Sequence, residues 1–334
     1  MESSQARKSD TQSEVAKILI EAMKEGQTPW QKPWSSSSMR PMNPTSGNAY
    51  RGINRVLLGL SGRDDPRWMT YQQASQKGWQ VRRGEKGSSI VKLVEVSRIS
   101  GGESGGALGE SGGEARDGEA SREGKALALR RYTVFNAAQI DGVPPMEERA
   151  PATEFETIAR AESVLAALKE TGLLLIHGGS QACYIPARDE IRMPARRAFH
   201  SAHDYYATLL HEGAHSTLHP KRLDRKEALG KRWGDEAYSQ EELRAEICSA
   251  ILAAETGVPM SESHIRNHAA YLNSWIANLA RNPMAIFSAA KDAEAMASYM
   301  LALEAKFVAA ASAKDWVADY VTASQAELAP ERSR

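Results

Sequence analysis

The sequence predicts an α+β protein of two domains, a small mixed α/β domain followed by a mostly helical domain. Its 334 residues suffice for two domains, each large enough for a core of its own. Runs of β-branched and aromatic residues, typical of strands, lie in the first part, whereas alanine-rich helical patterns dominate the second. Three prolines between Pro144 and Pro151 stand among acidic residues and indicate the boundary.

The first domain is expected to span residues 12–143, after a disordered lead over residues 1–11. A linker over 144–153 is expected to follow it. Val15, Ile18, Leu19 and Met23 recur at helical spacing and predict an amphipathic first helix. The predicted elements are helices over 12–25, 53–60 and 68–76, and strands over 79–81, 88–97 and 131–136.

Residues 99–126 repeat glycine, serine and glutamate in a pattern that cannot bury a core. The residues that follow, Tyr132 to Asn136, resume a strand. We therefore expect a flexible insertion between the two strands of one hairpin, and not a domain boundary.

The second domain is expected over residues 154–325. A helix over 155–172 begins it, and two short strands follow over 182–185 and 190–193, each ended by a proline. The remaining residues predict helices, one of them with Ser239 as its N-cap. Strands beside a helix that carries His-Glu-x-x-His are typical of a zincin-like α+β domain.

The chain has no net charge, but the charge is unevenly distributed. Residues 1–98 carry 16 Lys and Arg against 9 Asp and Glu, so this part favours a polyanionic partner. Cys183 and Cys248 are isolated, which fits a reducing compartment. No apolar leader or membrane-length run occurs, so we expect a cytoplasmic protein without a membrane partner.

The motif His211-Glu212-Gly213-Ala214-His215 indicates a metal centre. Two histidines four residues apart project from one face of a helix and can bind one ion. Glu212 between them is the candidate catalytic base for a water on that ion. Unrelated helices also contain this short motif, as a polar face with two ordinary histidines. The apolar residues Leu209 and Leu210 favour the metal-binding interpretation.

A third protein ligand is expected from a helix further along the chain. Glu242 and Glu246 are four residues apart and share one face, whereas Glu241 is expected to point elsewhere. One of the pair would be the metal ligand, and the other would orient a histidine. We favour Glu242 as the ligand, and the sequence leaves the choice open. Two imidazoles and one carboxylate favour Zn²⁺, although carboxylates also admit Mn²⁺.

The first domain combines aromatic and basic residues in a way typical of single-stranded DNA binding. Unpaired bases stack on flat aromatic rings, while basic side chains follow the phosphates. Some of the tryptophans are instead expected to be core residues. The glycines of the segment Arg82 to Gly87 indicate a tight turn that could also contact a phosphate. The candidate DNA contacts are Trp30, Lys32, Trp34, Tyr50, Arg51, Asn54, Trp68, Tyr71, Arg82, Arg83 and Lys86.

Taken together, these segments resemble the ArdC family of plasmid-encoded antirestriction proteins. The N-terminal module is also similar to one found in certain plasmid primases. The segments that carry the resemblance are Thr28-Pro-Trp-Gln-Lys-Pro-Trp34, Asn48-Ala-Tyr-Arg-Gly-Ile-Asn54, Arg67-Trp-Met-Thr-Tyr71, Val81-Arg-Arg-Gly-Glu-Lys-Gly87, Val134-Phe-Asn136, Tyr206 to His215, His219-Pro-Lys-Arg-Leu-Asp-Arg225 and Glu241-Glu-Leu-Arg-Ala-Glu246.

The resemblance implies a single-stranded DNA-binding domain joined to a zincin-like metallopeptidase domain, which protects incoming conjugative DNA from restriction. A host restriction-system protein is then the expected peptidase substrate. Gly213, Ser216 and Leu218 depart from the family pattern around the second histidine, so the substrate cleft is expected to differ. The alternative is a non-enzymatic protein that coats DNA or blocks a restriction enzyme and carries a structural or vestigial metal site.

Overall fold

The computed structural model describes residues 2–25, 41–97, 125–146, 154–225, 236–258 and 262–312. The prediction of an α+β protein is confirmed, with a mixed N-terminal part and a mostly helical C-terminal part. Most of the predicted insertion, most of the predicted linker, and Trp30, Lys32 and Trp34 lie outside the described residues. None of the described helices combines the length and apolarity needed to cross a bilayer.

The described residues of the N-terminal part form three α-helices and two small sheets. Strands β3 and β4 pair antiparallel from Ser88 opposite Val134 to Ser97 opposite Lys125, which confirms the predicted hairpin. Strand β1 pairs with the other edge of β4, and β2 pairs with β5. The elements are α1 (Glu2–Lys24), α2 (Ile53–Gly59), β1 (Trp68–Met69), α3 (Tyr71–Gln76), β2 (Gln80–Val81), β3 (Ser88–Ser97), β4 (Lys125–Asn136) and β5 (Ile140–Asp141).

Two of these elements differ from the sequence prediction. Helix α1 begins at Glu2, where a disordered lead was expected, and its 23 residues contain no proline or glycine to interrupt the helix. The prediction of a single helix over 68–76 is also wrong, because these residues form β1 and then α3. Thr70 caps α3 by accepting a hydrogen bond from the backbone N–H of Gln73 at 3.2 Å, so the two residues before it are free to join the sheet.

In the C-terminal part, the described residues form a small sheet beside five α-helices. Strand β8 lies in the centre of the sheet, parallel to β6 and antiparallel to β7, which leaves β7 at an edge. Strand β6 is absent from the sequence prediction. The elements are α4 (Glu154–Glu170), β6 (Leu174–His177), β7 (Cys183–Ile185), β8 (Glu190–Met193), α5 (Ala202–Ser216), α6 (Glu236–Thr256), α7 (Glu262–Arg281) and α8 (Met284–Ser312).

The predicted N-cap of the Glu242 helix is wrong. Helix α6 begins at Glu236, three residues before Ser239. Ser239 is 3% exposed, and its hydroxyl lies 2.9 Å from that of Ser274 on α7. Its backbone carbonyl also accepts a hydrogen bond from the indole of Trp275 at 2.8 Å. A serine that looks like a cap in sequence is therefore an interior contact between two helices.

One hydrophobic cluster joins the two parts of the chain. Val15, Leu19 and Met23 of α1 are buried in the same cluster as Leu209 and Leu210 of α5. Helix α1 packs against α7, and α5 packs against α4 and α6. Because α5 carries the His-Glu-x-x-His motif, this core fixes the position of the candidate metal residues.

A buried arginine reinforces the contact between the two parts. Arg55 of α2 is 7% exposed, and its guanidinium lies 3.6 Å from a carboxylate oxygen of Glu255 and 3.7 Å from one of Glu294. Glu294 also accepts a hydrogen bond from the backbone N–H of Gly52 at 3.3 Å. Helix α2 is therefore held to α6 and α8 by charge as well as by apolar packing.

Replacing Arg55 by methionine is expected to lower the free energy of unfolding by about 3 kcal/mol, because two partly buried carboxylates lose their cation. Denaturant unfolding measures the change. Arg51→Met is the matched control, since Arg51 is exposed four residues earlier and should change stability by less than about 0.5 kcal/mol. Equal stability of the two variants would contradict the role given to Arg55.

Candidate metal centre

Helix α5 presents both histidines of the motif to α6. Ser201 caps the helix, because its hydroxyl accepts a hydrogen bond from the backbone N–H of Asp204 at 3.1 Å. The four-residue spacing then places the two rings side by side, with the Nε2 atoms of His211 and His215 at 3.2 Å. They are 5% and 9% exposed, so both rings lie inside the protein.

Glu242 of α6 completes a group of three candidate ligands. One carboxylate oxygen lies 3.5 Å from Nε2 of His211, and the other lies 3.5 Å from Nε2 of His215. In a tetrahedral zinc site with bonds of about 2.0–2.1 Å, neighbouring ligand atoms are about 3.3 Å apart. The observed distances match that spacing, so these residues fit a divalent metal ion.

Glu246 and Glu241 contact the opposite nitrogens of the two rings. A carboxylate oxygen of Glu246 lies 3.0 Å from Nδ1 of His211, and one of Glu241 lies 3.3 Å from Nδ1 of His215. Carboxylates in this position fix the tautomer and orientation of a metal-binding histidine. The expectation that Glu241 points elsewhere is wrong, because α6 packs against α5 so that Glu241 reaches His215 while Glu246 reaches His211.

Arg225 anchors Glu241 and is the main site residue that sequence reasoning missed. Its guanidinium donates two hydrogen bonds to the Glu241 carboxylate, at 2.8 and 2.9 Å. It also donates to the hydroxyl of Thr217, which follows the motif helix, at 2.8 Å. Arg225 lies in a segment that the sequence singled out, His219 to Arg225, but only the fold shows that this segment returns to the site.

The buried carboxylates hold a concentrated negative charge. Burial alone would raise the pKa of Glu242, but the hydrogen bond with His211 and the charges of both histidines hold it well below its usual value. Burial would lower the pKa of His211, yet the hydrogen bonds with Glu242 and Glu246 raise it well above 6.5. The carboxylates therefore favour a positive charge on the histidines. A divalent metal ion can supply that charge in place of the protons that the histidines otherwise carry.

Glu212 lies on α5 between the two histidines of the motif. It is 7% exposed, and within the described residues its carboxylate forms no hydrogen bond or ion pair. Burial raises the pKa of the Cys183 thiol on β7, and the negative charge of Glu212 raises it further. Helix α5, which carries Glu212, packs against this edge strand.

Helix α6 also contributes the hydroxyl of Tyr238 to the site. Burial raises the pKa of Tyr238, as do its hydrogen bonds with Tyr271 and Glu242, so the hydroxyl keeps its proton. Tyr206, in contrast, bonds with Glu162 and with Arg196, away from the histidines. Of these two tyrosines, Tyr238 is therefore the one whose hydroxyl contacts a candidate ligand.

The three departures from the family pattern lie in packed positions. A side chain at Gly213 would approach Leu168 and Met300 to 3.3 and 3.2 Å, so glycine lets α5 pack closely against α4 and α8. Ser216 donates a hydrogen bond to the carbonyl of Gly213 at 2.6 Å, and Leu218 is 3% exposed. These residues shape the packing of the motif helix, and the candidate ligands remain in contact.

The candidate DNA contacts divide into buried or engaged residues and exposed ones. Trp68 is 2% exposed, and Tyr50 packs beside it with its hydroxyl donating to the Trp68 carbonyl at 3.2 Å. The Asn54 side chain is engaged by the backbone of Val91 through two bonds of 2.8 Å. The exposed candidates in the described part of the chain are Arg51, Tyr71, Arg82, Arg83 and Lys86.

Known proteins share both parts of this architecture. A model of the N-terminal domain of anti-restriction factor ArdC matches residues 9–135, and a zincin-like metallopeptidase model matches residues 159–292. The chain thus belongs to the class that joins an antirestriction N-terminal domain to a zincin-like domain. Crystal structures of the ArdC protein of plasmid R388 are 35% identical and cover 89% of this chain.

The similarity to the two R388 structures covers nearly their whole length. The metal-free structure has a TM-score of 0.69 with 99% of its chain covered, and the Mn(II)-bound structure has 0.66 with 98% covered. This chain belongs to the ArdC antirestriction family. An uncharacterised Sinorhizobium fredii protein, y4eC, is 36% identical, with 87% of this chain and 91% of that protein covered.

Two Escherichia coli proteins, both DNA primase TraC, contain a similar region. They are 44% and 42% identical to this chain, with 88% of it covered in each case. The chain spans only 27% and 20% of their lengths, so the region is one part of a much longer protein.

Replacing Glu241 by glutamine is expected to weaken metal binding about 10- to 100-fold, because His215 loses a carboxylate held by Arg225. Competition with a chromophoric chelator measures the dissociation constant for Zn²⁺ and for Mn²⁺. Glu236→Gln on the same helix is the control, since its side chain is 62% exposed and should leave affinity unchanged. Equal affinities in the two variants would rule out an orienting role for Glu241.

Proposed function

We propose that this protein binds single-stranded DNA through its N-terminal part and hydrolyses a peptide bond at its metal centre. It would thereby protect incoming conjugative DNA from host restriction in the cytoplasm, with a restriction-system protein as the substrate. The observation that carries the peptidase proposal is the matched spacing of His211, His215 and Glu242. Glu212 is buried between the two histidines in sequence, with no hydrogen bond or ion pair among the described residues.

His211, His215 and Glu242 would hold the metal, and Glu246 and Glu241 would orient the histidines. A bound divalent ion supplies Lewis acidity and acidifies water. The donor set favours zinc, and its carboxylate also accommodates manganese, the ion bound in the R388 relative.

The residues around the ligands have separate roles in the proposed hydrolysis. Glu212 accepts a proton from the attacking water and returns it to the leaving amine, since its carboxylate has no other partner within the described residues. The Tyr238 hydroxyl keeps its proton and can donate to the oxygen that gains charge. An extended peptide can pair with β7, the edge strand against which α5 packs.

Replacing Glu212 by glutamine is expected to abolish peptide hydrolysis, by at least about 100-fold, and to leave metal content and DNA binding unchanged. Cleavage is measured by mass spectrometry on the subunits of a type I restriction enzyme, with Glu236→Gln as the active control. Retained cleavage in Glu212→Gln would contradict the assigned base.

The same variant separates the enzyme from a non-enzymatic binder. If Glu212→Gln still protects transferred DNA from restriction in cells as fully as the wild type, the peptidase is not the source of protection. The protein would then act by coating DNA or blocking the restriction enzyme, with a structural metal site. Loss of protection with DNA binding retained is the outcome that the peptidase proposal requires.

The exposed basic residues of the N-terminal part support the DNA-binding proposal. Arg51, Arg83 and Lys86 are exposed, and within the described residues no ion pair involves them. Arg82 is already engaged, with Glu85 at 3.1 Å and Asp141 at 3.3 Å, so it is assigned to the turn and not to a phosphate. The cations that remain are free to neutralise a nucleic-acid backbone.

Affinity for a single-stranded oligonucleotide is expected to exceed that for the matching duplex and to fall steeply with salt. Each phosphate neutralised adds about 0.7 to the magnitude of the slope of log K against log salt for single strands. Arg83→Gln should therefore reduce that magnitude by about 0.7 in fluorescence anisotropy titrations. An equal affinity for duplex DNA would contradict the proposed preference for unpaired bases.

A further inference from the structure

The N-terminal part contains a cavity that is lined in part by an exposed aromatic ring. It has a volume of about 560 Å³ and lies between α3, the β2–β5 pair and the end of β4. Tyr71, Phe135 and Gln80 are among the residues that line it. Tyr71 is 53% exposed, so its ring is accessible to a ligand.

The ring of Tyr71 is held in place although it is exposed. It is the first residue of α3, directly after the Thr70 capping box, so its backbone is fixed. The Gln80 amide donates a hydrogen bond to its hydroxyl at 3.4 Å and another to the Val81 carbonyl at 3.0 Å. A ring that is already ordered loses little conformational entropy when a flat ligand stacks on it.

The charges around the cavity suit a neutral ring better than a phosphate group. Arg82 is neutralised by Glu85 and Asp141, which also line the cavity. Arg83 also lines the cavity and has no ion pair among the described residues. Arg83 is therefore the one available cation among the described lining residues, and the remaining lining charges have no positive excess.

We propose that this cavity receives one unpaired nucleobase of single-stranded DNA, stacked on Tyr71, with an adjacent phosphate at Arg83. The inference rests on the proposed DNA-binding function and gives it a specific subsite. Only an unstacked base can enter a cavity beside a single ring, so the site selects single strands over duplex. The carboxylates of Glu85 and Asp141 can accept hydrogen bonds from exocyclic amino groups of the base.

The test compares Tyr71→Ala with Tyr71→Phe in titrations of a labelled single-stranded oligonucleotide. Loss of the ring should weaken binding about 5- to 150-fold, which corresponds to the stacking of one base, about 1–3 kcal/mol. Phenylalanine keeps the ring and should bind within about twofold of wild type. The salt slope should stay unchanged in Tyr71→Ala, because that variant removes no charge.

A fluorescent base gives a second readout of the same subsite. An oligonucleotide with one 2-aminopurine should lose fluorescence on binding wild type and Tyr71→Phe, but not on binding Tyr71→Ala, at one position of the probe. If wild type binds the oligonucleotide and Tyr71→Ala binds it equally well, the subsite is overturned and the DNA-binding function stands. If wild type binds no single-stranded oligonucleotide at low salt, both are overturned.

Discussion

The structure depends on pairing a set of charges that are buried between two helices. Ionised side chains removed from water are strongly destabilising unless each has a partner of opposite charge. The histidines of α5 pair with the glutamates of α6, and Arg225 pairs with Glu241. These contacts run from the arginine to a carboxylate, then to an imidazole and then to a second carboxylate, and they fix how the two helices pack. The residues of this group are His211, His215, Glu241, Glu242, Glu246 and Arg225.

The hydrophobic core around α5 also connects the metal centre with the N-terminal part. Helix α1 packs against α7, and Tyr271 of α7 contacts Tyr238 above the candidate ligands. Arg55 holds α2 to α6 and α8 from another side. Helices α1 and α2 of the N-terminal part therefore share buried contacts with the helices around the metal centre.

The sequence predicted those features that depend on local patterns. The four-residue spacing of His211 and His215 requires only a helix, and the β3–β4 pairing follows from two β-branched runs. Glu241 was misplaced because helical periodicity assigns faces within one helix, whereas its contact depends on how α6 crosses α5. Trp68 and Tyr71 illustrate the same difference, since both are aromatic residues near basic ones and only the fold buries the first and exposes the second.

The central claim is that the α5–α6 cluster is a metal site, and elemental mass spectrometry tests it most directly. Purified wild type should contain close to one zinc or manganese ion per chain, and His211→Ala should contain almost none. Circular dichroism establishes that both proteins are folded. Folded wild type that contains no metal and takes up none on dialysis against Zn²⁺ or Mn²⁺ would contradict the account.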